Sequence, residues 1–541
     1  MEPISLRTPL ALFLISLATI AAVWWWLATP ITLARAPIDP NAKLQCVSYA
    51  PFRAAQTPLV ETTHISTEQI AEDLAQLAKV TDCVRTYSIE NGLDQVPALA
   101  ARHGLKVIQG IWLGSNRLKN LTQIATAVRL AKTYPGTITS LVVGNEVLLR
   151  GEMTTADLVA NIRSVKSQVQ VPVTYADVWE FWLKNRELYD AVDFVTIHIL
   201  PYWEDFPIKA KFAVSHVDSI RRRMAVAFPG KEILIGETGW PSQGRMREGA
   251  LPSRTSQARV VSEILDLANR EGFRVNLIEA YDQPWKRQLE GTVGGYWGLF
   301  DAYRRDVKYP PGIAISNFPS WKLSMACGMM LSALTFLAAI LTLRHRPWTP
   351  RPMAWVAVAI SATTAGCLLG IAADKMYFES YGIGGWLKWG ALLVAATASP
   401  LLCANAQMAG RSLPTFLDLL GPREYKTRSL LPVLLALVLA ITAVIAAETA
   451  LGFSFDPRYR DFPYAALTMA VVPYLGLTAL NRPPSGPRPI AESVFAGVLA
   501  IAAIYVGINE GRDNWQSIWT CAVYLLFALT LWRARAAQSP G

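Results

Sequence analysis

Long apolar runs are the feature that most restricts how this chain can fold. A run of about 20 apolar residues is long enough to cross a bilayer as an α-helix. Eight such runs occur, at 10–29, 321–343, 353–372, 385–409, 429–451, 463–480, 490–508 and 516–532. The stretch between the first two runs carries charged residues throughout. The sequence therefore predicts a membrane protein with one large domain outside the bilayer.

These boundaries predict the domain organisation. The segments are a cytoplasmic N-terminus at 1–9, a transmembrane signal-anchor helix at 10–29, a linker at 30–41, a soluble domain at 42–318, and a membrane domain of about seven helices at 321–541. A cleaved signal peptide is the alternative to the anchor. Ala34 and Ala36 have the spacing of a cleavage site, but Pro37 follows directly and disfavours cleavage.

The basic residues predict the orientation, because Lys and Arg in short loops are retained on the cytoplasmic side. One set of alternate loops carries eleven: Arg344, Arg346, Arg351, Arg411, Arg423, Lys426, Arg428, Arg482, Arg488, Arg533 and Arg535. The other set carries four: Lys375, Arg458, Arg460 and Arg512. Both termini are therefore expected inside and residues 42–318 outside. This asymmetry accounts for much of the net charge of +10 and argues against a nucleic-acid partner.

The soluble domain alternates short β-rich segments with helical ones. Strands are predicted at 44–49, 83–88, 105–112, 138–144, 172–178, 194–200, 232–236 and 276–281, and helices at 66–80, 120–133, 154–169, 209–227 and 255–270. Alternation of this kind predicts parallel strands, and eight units in about 250 residues fit a (β/α)8 TIM barrel. An open doubly wound sheet is the alternative, but no glycine-rich phosphate loop follows the first strand. The expected fold class is thus α/β, a TIM barrel followed by an all-α polytopic membrane domain.

Two glutamates are expected at the mouth of this barrel. Glu146 ends the fourth predicted strand and Glu237 ends the seventh, and chemistry in such barrels collects at the C-terminal ends of the strands. Two carboxylates flanking a glycosidic bond are the minimum machinery for cleaving it. The alternative is two structural glutamates that form hydrogen bonds at the barrel rim. Asn145 beside Glu146 favours the catalytic interpretation, since its amide suits a sugar hydroxyl.

Several motifs together resemble glycoside hydrolase family 17, the β-1,3-glucanase family. These are "NEV" at 145–147, "ILIGETGWPSQG" from Ile233, "VRTYS" at 84–88, "YDQPWK" at 281–286 and "YWGLF" at 296–300. The resemblance covers about residues 42–315 and implies a retaining enzyme with Glu146 as acid/base and Glu237 as nucleophile. Gln283 departs from the plant pattern of the family, which has an acid in that loop.

The predicted substrate-binding set comes partly from this resemblance and partly from the strand ends. By motif, Asn145 contacts the 2-hydroxyl of the sugar under attack, Tyr202 lies beside the nucleophile, and Glu279 and Lys286 line the subsite floor. Strand-end position adds Tyr49, Arg85, Tyr87 and Trp285, of which Arg85 is expected to orient a carboxylate. His198 suits a core position as well as a substrate contact. No cofactor and no metal are expected, since the five histidines are not spaced as ligands.

A covalent glycosyl-enzyme can pass its sugar to water or to another glucan. Resemblance to membrane-anchored bacterial relatives favours a glucanosyltransferase that elongates, branches or cyclises β-1,3-glucan in the periplasm, at the bacterial inner (cytoplasmic) membrane. An endo- or exo-β-1,3-glucanase and a non-catalytic glucan-binding or export component are the alternatives. The expected partners are β-1,3-glucan, with or without β-1,6 branches, the lipid bilayer, and a glucan synthase or export complex docked on the membrane helices.

Two cysteines lie in the soluble domain. Cys46 and Cys83 each stand near the start of a predicted strand, and an oxidising compartment favours their pairing. Two buried free thiols are the alternative. Cys327, Cys367, Cys403 and Cys521 lie in apolar runs and are expected to serve as small apolar residues.

Overall fold

A computed structural model describes residues 7–39, 42–303, 305–344, 352–420, 430–481 and 485–535. The chain divides into two compact units, one of Pro30–Ile315 and one of Met1–Thr29 with Ser316–Gly541. Some positions used above to predict orientation lie outside the described residues, namely Arg346, Arg351, Arg423, Lys426, Arg428 and Arg482. Residues 1–6, 40 and 41 of the predicted N-terminus and linker lie outside them too.

The first unit is built on a closed barrel of parallel strands. The strands are β1 (Cys46–Ser48), β2 (Cys83–Arg85), β3 (Lys106–Ile111), β4 (Ile138–Asn145), β5 (Val173–Val178), β6 (Val195–His198), β7 (Ile233–Thr238) and β8 (Val275–Leu277). Each pairs with its neighbour in sequence, and β1 pairs with β8 through Cys46 and Asn276. This closure confirms the predicted (β/α)8 fold and excludes the open doubly wound sheet.

Helices cover the outside of the barrel. The long ones are Thr67–Leu77, Arg117–Thr133, Thr155–Lys166, Ala210–Ala227 and Arg254–Glu271, close to the predicted positions. Four short helices were not predicted: Val96–Arg102, Trp179–Lys184, Leu188–Ala191 and Arg287–Gly294. One or two turns are too few to show a helical period in the sequence. A two-stranded antiparallel ribbon joins Ile31–Thr32 to Ala314–Ile315 and so ties together the two ends of this unit.

The disulfide lies inside the barrel, where the strands begin. Cys46 opens β1 and Cys83 opens β2, and their sulfur atoms are bonded in the structure. Both side chains belong to a buried apolar cluster whose other members come from five further strands or their starts: Ile108, Val142, Ala176, Phe194 and Leu234. The bond therefore joins two adjacent strands within the barrel's own core.

Removing this bond should destabilise the barrel strongly. For a sequence separation of 37 residues, the chain-entropy model gives about 4 kcal/mol of unfolding free energy. We expect the double variant Cys46→Ala, Cys83→Ala to unfold at a clearly lower denaturant concentration than the wild type, followed by tryptophan fluorescence of the full chain in detergent. Cys327→Ala in the other unit is the control. An unchanged midpoint in the double variant would contradict the prediction.

The second unit is a bundle of apolar helices. They are Arg7–Leu27, Trp321–Leu343, Pro352–Glu379, Gly382–Met408, Leu430–Phe455, Tyr464–Leu480, Ile490–Asn509 and Trp515–Trp532. All eight predicted runs are thus helical. Seven of these helices are long and apolar enough to cross a membrane, whereas Tyr464–Leu480 is shorter.

Small residues let three of these helices approach closely. A Cβ atom added to Gly328 would lie 2.1 Å from the backbone oxygen of Gly366, so the helices Trp321–Leu343 and Pro352–Glu379 touch through backbone. Trp24 of the first helix donates from its indole nitrogen to the same oxygen at 3.4 Å. Such contacts are typical of helices packed in lipid, where close van der Waals fit replaces hydrophobic burial.

Candidate active site

Glu146 and Glu237 lie together at the C-terminal ends of β4 and β7, with His198 of β6 between them. One carboxylate oxygen of each glutamate and one ring nitrogen of His198 all lie within 4.8 Å of one another. His198 Nδ1 is 2.7 Å from Glu146 Oε1, and its Nε2 is 3.5 Å from Glu237 Oε1. The side chain of Glu146 is 24% exposed and that of Glu237 only 6%. Glu146 can therefore exchange a proton with solvent, while Glu237 is shielded from it.

A β-bulge aims Glu237 at the mouth. Ile197 of β6 pairs with Ile235 of β7, but the next residue, His198, pairs with Glu237, so β7 holds one extra residue, Gly236. A bulge of this kind turns the side chain that follows it to the other face of the strand. Glu237, which strict alternation would point away from the barrel axis, thereby lies beside the inward-facing His198.

Only glycine fits at position 236, because there is no room for a side chain. A Cβ atom there would lie 2.4 Å from Cγ2 of Thr196, closer than nonbonded carbons approach. Its backbone oxygen accepts a hydrogen bond from Arg85 Nη1 at 2.6 Å. A larger residue at this position would push apart β6, β7 and the guanidinium that contacts the nucleophile candidate.

A second irregularity positions Glu146. The register of β4 against β5 shifts between Val142 and Asn145, and Gly144 within that segment has a φ of +89°. Glu146 itself has a φ of +52°, a left-handed conformation that costs a non-glycine residue roughly 1–2 kcal/mol. Hydrogen bonds from its amide to Ala176 O and from the amide of Arg150 to its carbonyl hold it there. Strained backbone of this kind clusters at functional sites.

Arg85 fixes Glu237 and Asn145 relative to each other. It is 1% exposed and donates from Nη1 to Glu237 Oε1 at 3.3 Å and from Nη2 to Asn145 Oδ1 at 2.6 Å. Because Arg85 occupies the oxygen of the Asn145 amide, the amide nitrogen is directed elsewhere and has no hydrogen-bond partner among the described residues. Asn145 thus has a donor available beside Glu146.

The proton on His198 can be located from its neighbours. Both terminal nitrogens of Arg85 lie 3.4 Å from Nε2 of His198, and guanidinium nitrogens only donate. Nε2 is therefore the acceptor, and Nδ1 carries the proton that is donated to Glu146. Burial raises the pKa of Glu146, but the hydrogen-bonding and electrostatic interactions with His198, followed by the charges of Arg85 and Arg150, outweigh it, so the pKa lies below its ordinary value.

Glu279 and Lys286 form a buried ion pair in the loop after β8. Lys286 Nζ donates to both carboxylate oxygens of Glu279, at 2.8 and 2.9 Å. Burial raises the pKa of Glu279 to about 7 despite the lysine. The charge of Glu237 contributes to the raised pKa of Lys286, after that of Glu279 and Glu290, although burial opposes the rise. This pair is therefore electrostatically linked to the carboxylate of Glu237.

The predicted aromatic contacts are mostly engaged inside the protein. Tyr49 is buried and donates to Asp73 at 3.1 Å, and Tyr202 is buried and donates to the backbone oxygen of Arg245 at 2.9 Å. Tyr87 is half-buried, with its hydroxyl donating to Ser48 at 2.8 Å and its ring 4.8 Å from the Arg85 guanidinium. Trp285, also half-buried, donates to Gln283 at 2.9 Å. These hydrogen bonds hold the four side chains in place around the site.

Gln283 has a clear structural place. It is buried, donates to the backbone oxygens of Ala50 and Tyr281 at 2.9 and 3.1 Å, and accepts from Trp285. A neutral amide can donate and accept in one place, which a carboxylate cannot. The departure from the plant pattern is thereby explained by packing of this loop.

Two acidic residues near the site were missed. Asp177 is buried in β5 and accepts a hydrogen bond from the Tyr175 hydroxyl. Burial together with the charge of Glu146 raises the pKa of Asp177 to about 6. Glu290 has a pKa raised by burial and by the charges of Glu146 and Glu237, while Lys286 lowers it. Asp177 could have been found from sequence, because it is an aspartate inside the β-rich run "VTYADV". Glu290 lies in a short helix, and no sequence pattern pointed to it.

Glu146, His198 and Glu237 are close enough together to suggest a cation site. The arrangement does not suit one, because the guanidinium of Arg85 lies 3.3 Å from Glu237 and 3.4 Å from His198. A fixed positive charge at that distance repels a metal ion. His198 Nδ1 is also already committed to Glu146.

A closed (β/α)8 barrel with two adjacent carboxylates at its mouth is the arrangement of a glycoside hydrolase. Residues 46–298 match the BtgE/BtgC glycoside hydrolase domain. The barrel of this chain is thus similar to that domain, which supports an enzyme of the glycoside hydrolase family 17 type.

Individual relatives are similar over the same region. The glucan 1,3-beta-glucosidase of Candida albicans is 26% identical over 260 residues, which is 44% of this chain and 84% of the relative. That of Schizosaccharomyces pombe is 28% identical over 264 residues, 45% and 80% of the two chains. The crystal structure of the glycoside hydrolase family 17 β-1,3-glucanosyltransferase from Rhizomucor miehei has a TM-score of 0.44 at 22% identity, covering 50% of this chain and 96% of that one.

Proposed function

We propose that this protein is a retaining β-1,3-glucan glucanosyltransferase, with Glu237 as nucleophile and Glu146 as acid/base. The observation that carries the proposal is the closeness of the two carboxylates: one oxygen of each and one ring nitrogen of His198 all lie within 4.8 Å of one another. Retaining enzymes hold their carboxyl groups about 5 Å apart, and inverting ones hold them farther apart to admit a water. The named relatives act on 1,3-β-glucan, which makes it the proposed substrate.

The first half of the reaction forms an ester. Glu237 attacks the anomeric carbon, the glycosidic C–O bond breaks, and Glu146 gives its proton to the departing oxygen. Glu146 must first hold that proton, although its pKa is lowered in the free protein. Bound sugar displaces water from Glu146, and desolvation favours the neutral carboxyl.

The second half transfers the sugar. Glu146, now ionised, removes the proton from a hydroxyl of an acceptor glucan, whose oxygen displaces Glu237 from the anomeric carbon. Asn145 supplies a donor to the 2-hydroxyl of the sugar, and Arg85 keeps Glu237 aligned. Glu279, Lys286, Tyr87 and Trp285 complete the proposed substrate-binding set, with Tyr49 and Tyr202 supporting it from within.

Transfer rather than hydrolysis is favoured by the attached membrane helices. Seven of them are long and apolar enough to span a bilayer, and the excess of basic residues in one set of loops supports a barrel outside the cytoplasm. We place the protein in a bacterial inner membrane with its barrel in the periplasm, where it remodels glucan during export. The helices would then dock a glucan synthase or export complex. An enzyme fixed at the exit point meets growing glucan chains at high local concentration, which favours a sugar acceptor over water.

Product analysis tests the proposal. The full chain in detergent is incubated with laminarihexaose, the β-1,3-linked glucose hexamer, and the products are resolved by mass and linkage. Products longer than the hexamer, or branched, are expected. Shorter products alone would replace transfer with β-1,3-glucanase activity, and binding without turnover would favour the non-catalytic alternative.

Replacing His198 should shift the pH profile in a defined direction. The first step needs Glu146 protonated, so kcat/KM falls as pH rises through the pKa of Glu146. His198→Phe removes the hydrogen bond that lowers this pKa, so the alkaline limb should move to higher pH. The measurement is kcat/KM on laminarihexaose against pH.

His216→Phe is the matched control for this experiment. His216 forms a similar pair with Glu204, at 2.9 Å, elsewhere on the barrel. Its replacement should leave the limb in place. If the alkaline limb of the His198→Phe variant is unchanged or moves to lower pH, His198 does not control the protonation of Glu146.

A further inference from the structure

A cleft opens beside the candidate active site, between the loops that follow β2, β3 and β4. Its lining includes Glu90, Trp112, Asn116, Lys119, Asn120 and Glu152. Trp112 directly follows β3 and is 38% exposed, so this large aromatic side chain is partly open to solvent. We call this feature the Trp112 cleft. None of its lining residues belongs to the site described above.

The floor of the Trp112 cleft is rigid. Asn120, which is buried, donates to the backbone oxygen of Gly114 at 2.7 Å and accepts from the Gly114 amide at 2.9 Å. Gln123, also buried, accepts from the amide of Ile89 at 3.4 Å and donates to Ser88 at 3.0 Å. Two loops are thereby fastened to the helix Arg117–Thr133. A preformed cleft loses little conformational entropy when it binds a ligand.

Arg150 connects the cleft to the candidate catalytic residues. Its guanidinium lies 4.2 Å from the centre of the Trp112 ring. The same group donates to the backbone oxygens of Asn145 and Leu113 and forms two hydrogen bonds to Glu152, at 3.1 and 3.2 Å. One face of the indole is thus covered by Arg150, which does not line the cleft. Trp112 nevertheless remains 38% exposed, so part of its side chain stays open to a ligand.

Two of the three charged residues that line the cleft are already paired. Glu152 is paired with Arg150, and Lys119 is paired with Glu61. An anionic ligand would have to displace Glu61 from Lys119. A neutral polyhydroxylated ligand would not, because hydroxyls can donate to the carboxylates of Glu90 and Glu152 and accept from Lys119 without breaking either pair.

We propose that the Trp112 cleft is a glucosyl subsite that binds a glucose unit of the β-1,3-glucan away from the bond that reacts. The C–H face of the sugar stacks on the exposed part of the Trp112 ring, and its hydroxyls meet Glu90, Glu152 and Lys119. This inference rests on the proposed function, because it takes the ligand of the barrel to be glucan. Its consequence is that the enzyme gains affinity from chains long enough to reach the cleft.

Chain-length dependence tests the subsite. In the full chain, Trp112→Ala is expected to lower kcat/KM on laminarihexaose about tenfold, the loss of one aromatic stacking contact. On laminaritriose the same variant should lose less than about twofold in kcat/KM. Trp112→Phe, which keeps an aromatic face, should recover most of the loss. Phe206→Ala, which removes an aromatic ring that is 80% exposed elsewhere on the barrel, is the matched control. Equal losses on both substrates, or none on either, would overturn the subsite.

A binding measurement separates this inference from the proposed function. Laminarihexaose is titrated calorimetrically into the full chain carrying Glu237→Gln, with and without Trp112→Ala. An approximately tenfold weaker Kd in the double variant supports the subsite even if the wild type turns over no glucan, which would defeat only the proposed function. Equal affinities, or no binding to either protein, would overturn the subsite.

Discussion

Replacing Glu237 with glutamine should lower kcat/KM on laminarihexaose by at least about 10⁴-fold, because removing a catalytic nucleophile abolishes the covalent route. Glutamine keeps the size of the side chain and can still accept from Arg85, which contacts Glu237 Oε1 at 3.3 Å. The barrel should therefore remain folded. The residual rate is measured by product mass on the full chain, with enzyme concentration set by absorbance.

The matched control for this variant is Glu232→Gln. Glu232 directly precedes β7 and is paired with Arg274 at the opposite end of the same strand, where both side chains are about half exposed. Exposed pairs of this kind contribute little to stability, so activity should stay close to that of the wild type. Full activity in Glu237→Gln would disprove the assignment of the nucleophile.

Replacing Glu146 with alanine should have a large effect that depends on the leaving group. On laminarihexaose the loss should be about 10³-fold, since general acid–base catalysis contributes about 10²–10⁴. On an aryl β-laminaribioside with an acidic phenol, bond cleavage needs no proton, so the ester on Glu237 should form quickly and then accumulate. The burst of phenol and the mass of the glycosyl-enzyme are the measurements.

Azide gives the sharper outcome for the same variant. It needs no general base and fits the space left by the carboxylate, so it should restore turnover and yield a β-glycosyl azide, with retained configuration. Glu187→Ala, in an exposed position of the barrel, should show neither burst nor azide dependence. An α-azide product from Glu146→Ala would show that Glu146 is the nucleophile and Glu237 the acid/base. If azide does not restore turnover, Glu146 is not the acid/base.

Much of the architecture follows from local sequence patterns. The strand predicted at 138–144 is Ile138–Asn145, and the helix predicted at 209–227 is Ala210–Ala227. The apolar run predicted at 321–343 is the helix Trp321–Leu343. Each depends on neighbouring residues within one element, through a β-rich run, a helical period or unbroken hydrophobicity, and such patterns are legible in the chain itself.

The site was harder to predict in detail, because contacts there join distant segments. From sequence, His198 suited both a core position and a substrate contact. In the structure it forms a hydrogen bond with Glu146 at 2.7 Å. Tyr49 and Tyr202 stand near strand ends as predicted, yet their hydroxyls turn to Asp73 and to the Arg245 backbone. The direction of a side chain at a strand end depends on what packs against it, which a single segment does not encode.

The sequence by itself determined that eight parallel strands would form, that Glu146 and Glu237 would end two of them, and that the remaining chain would be apolar helix. Only the tertiary structure decided that the two carboxylates meet. Closure of β1 onto β8 brings the strand ends to one rim, and the extra residue Gly236 turns Glu237 inward beside His198. The physical reason is that hydrophobic period is a local property, whereas register between strands is settled by the packing of the whole barrel.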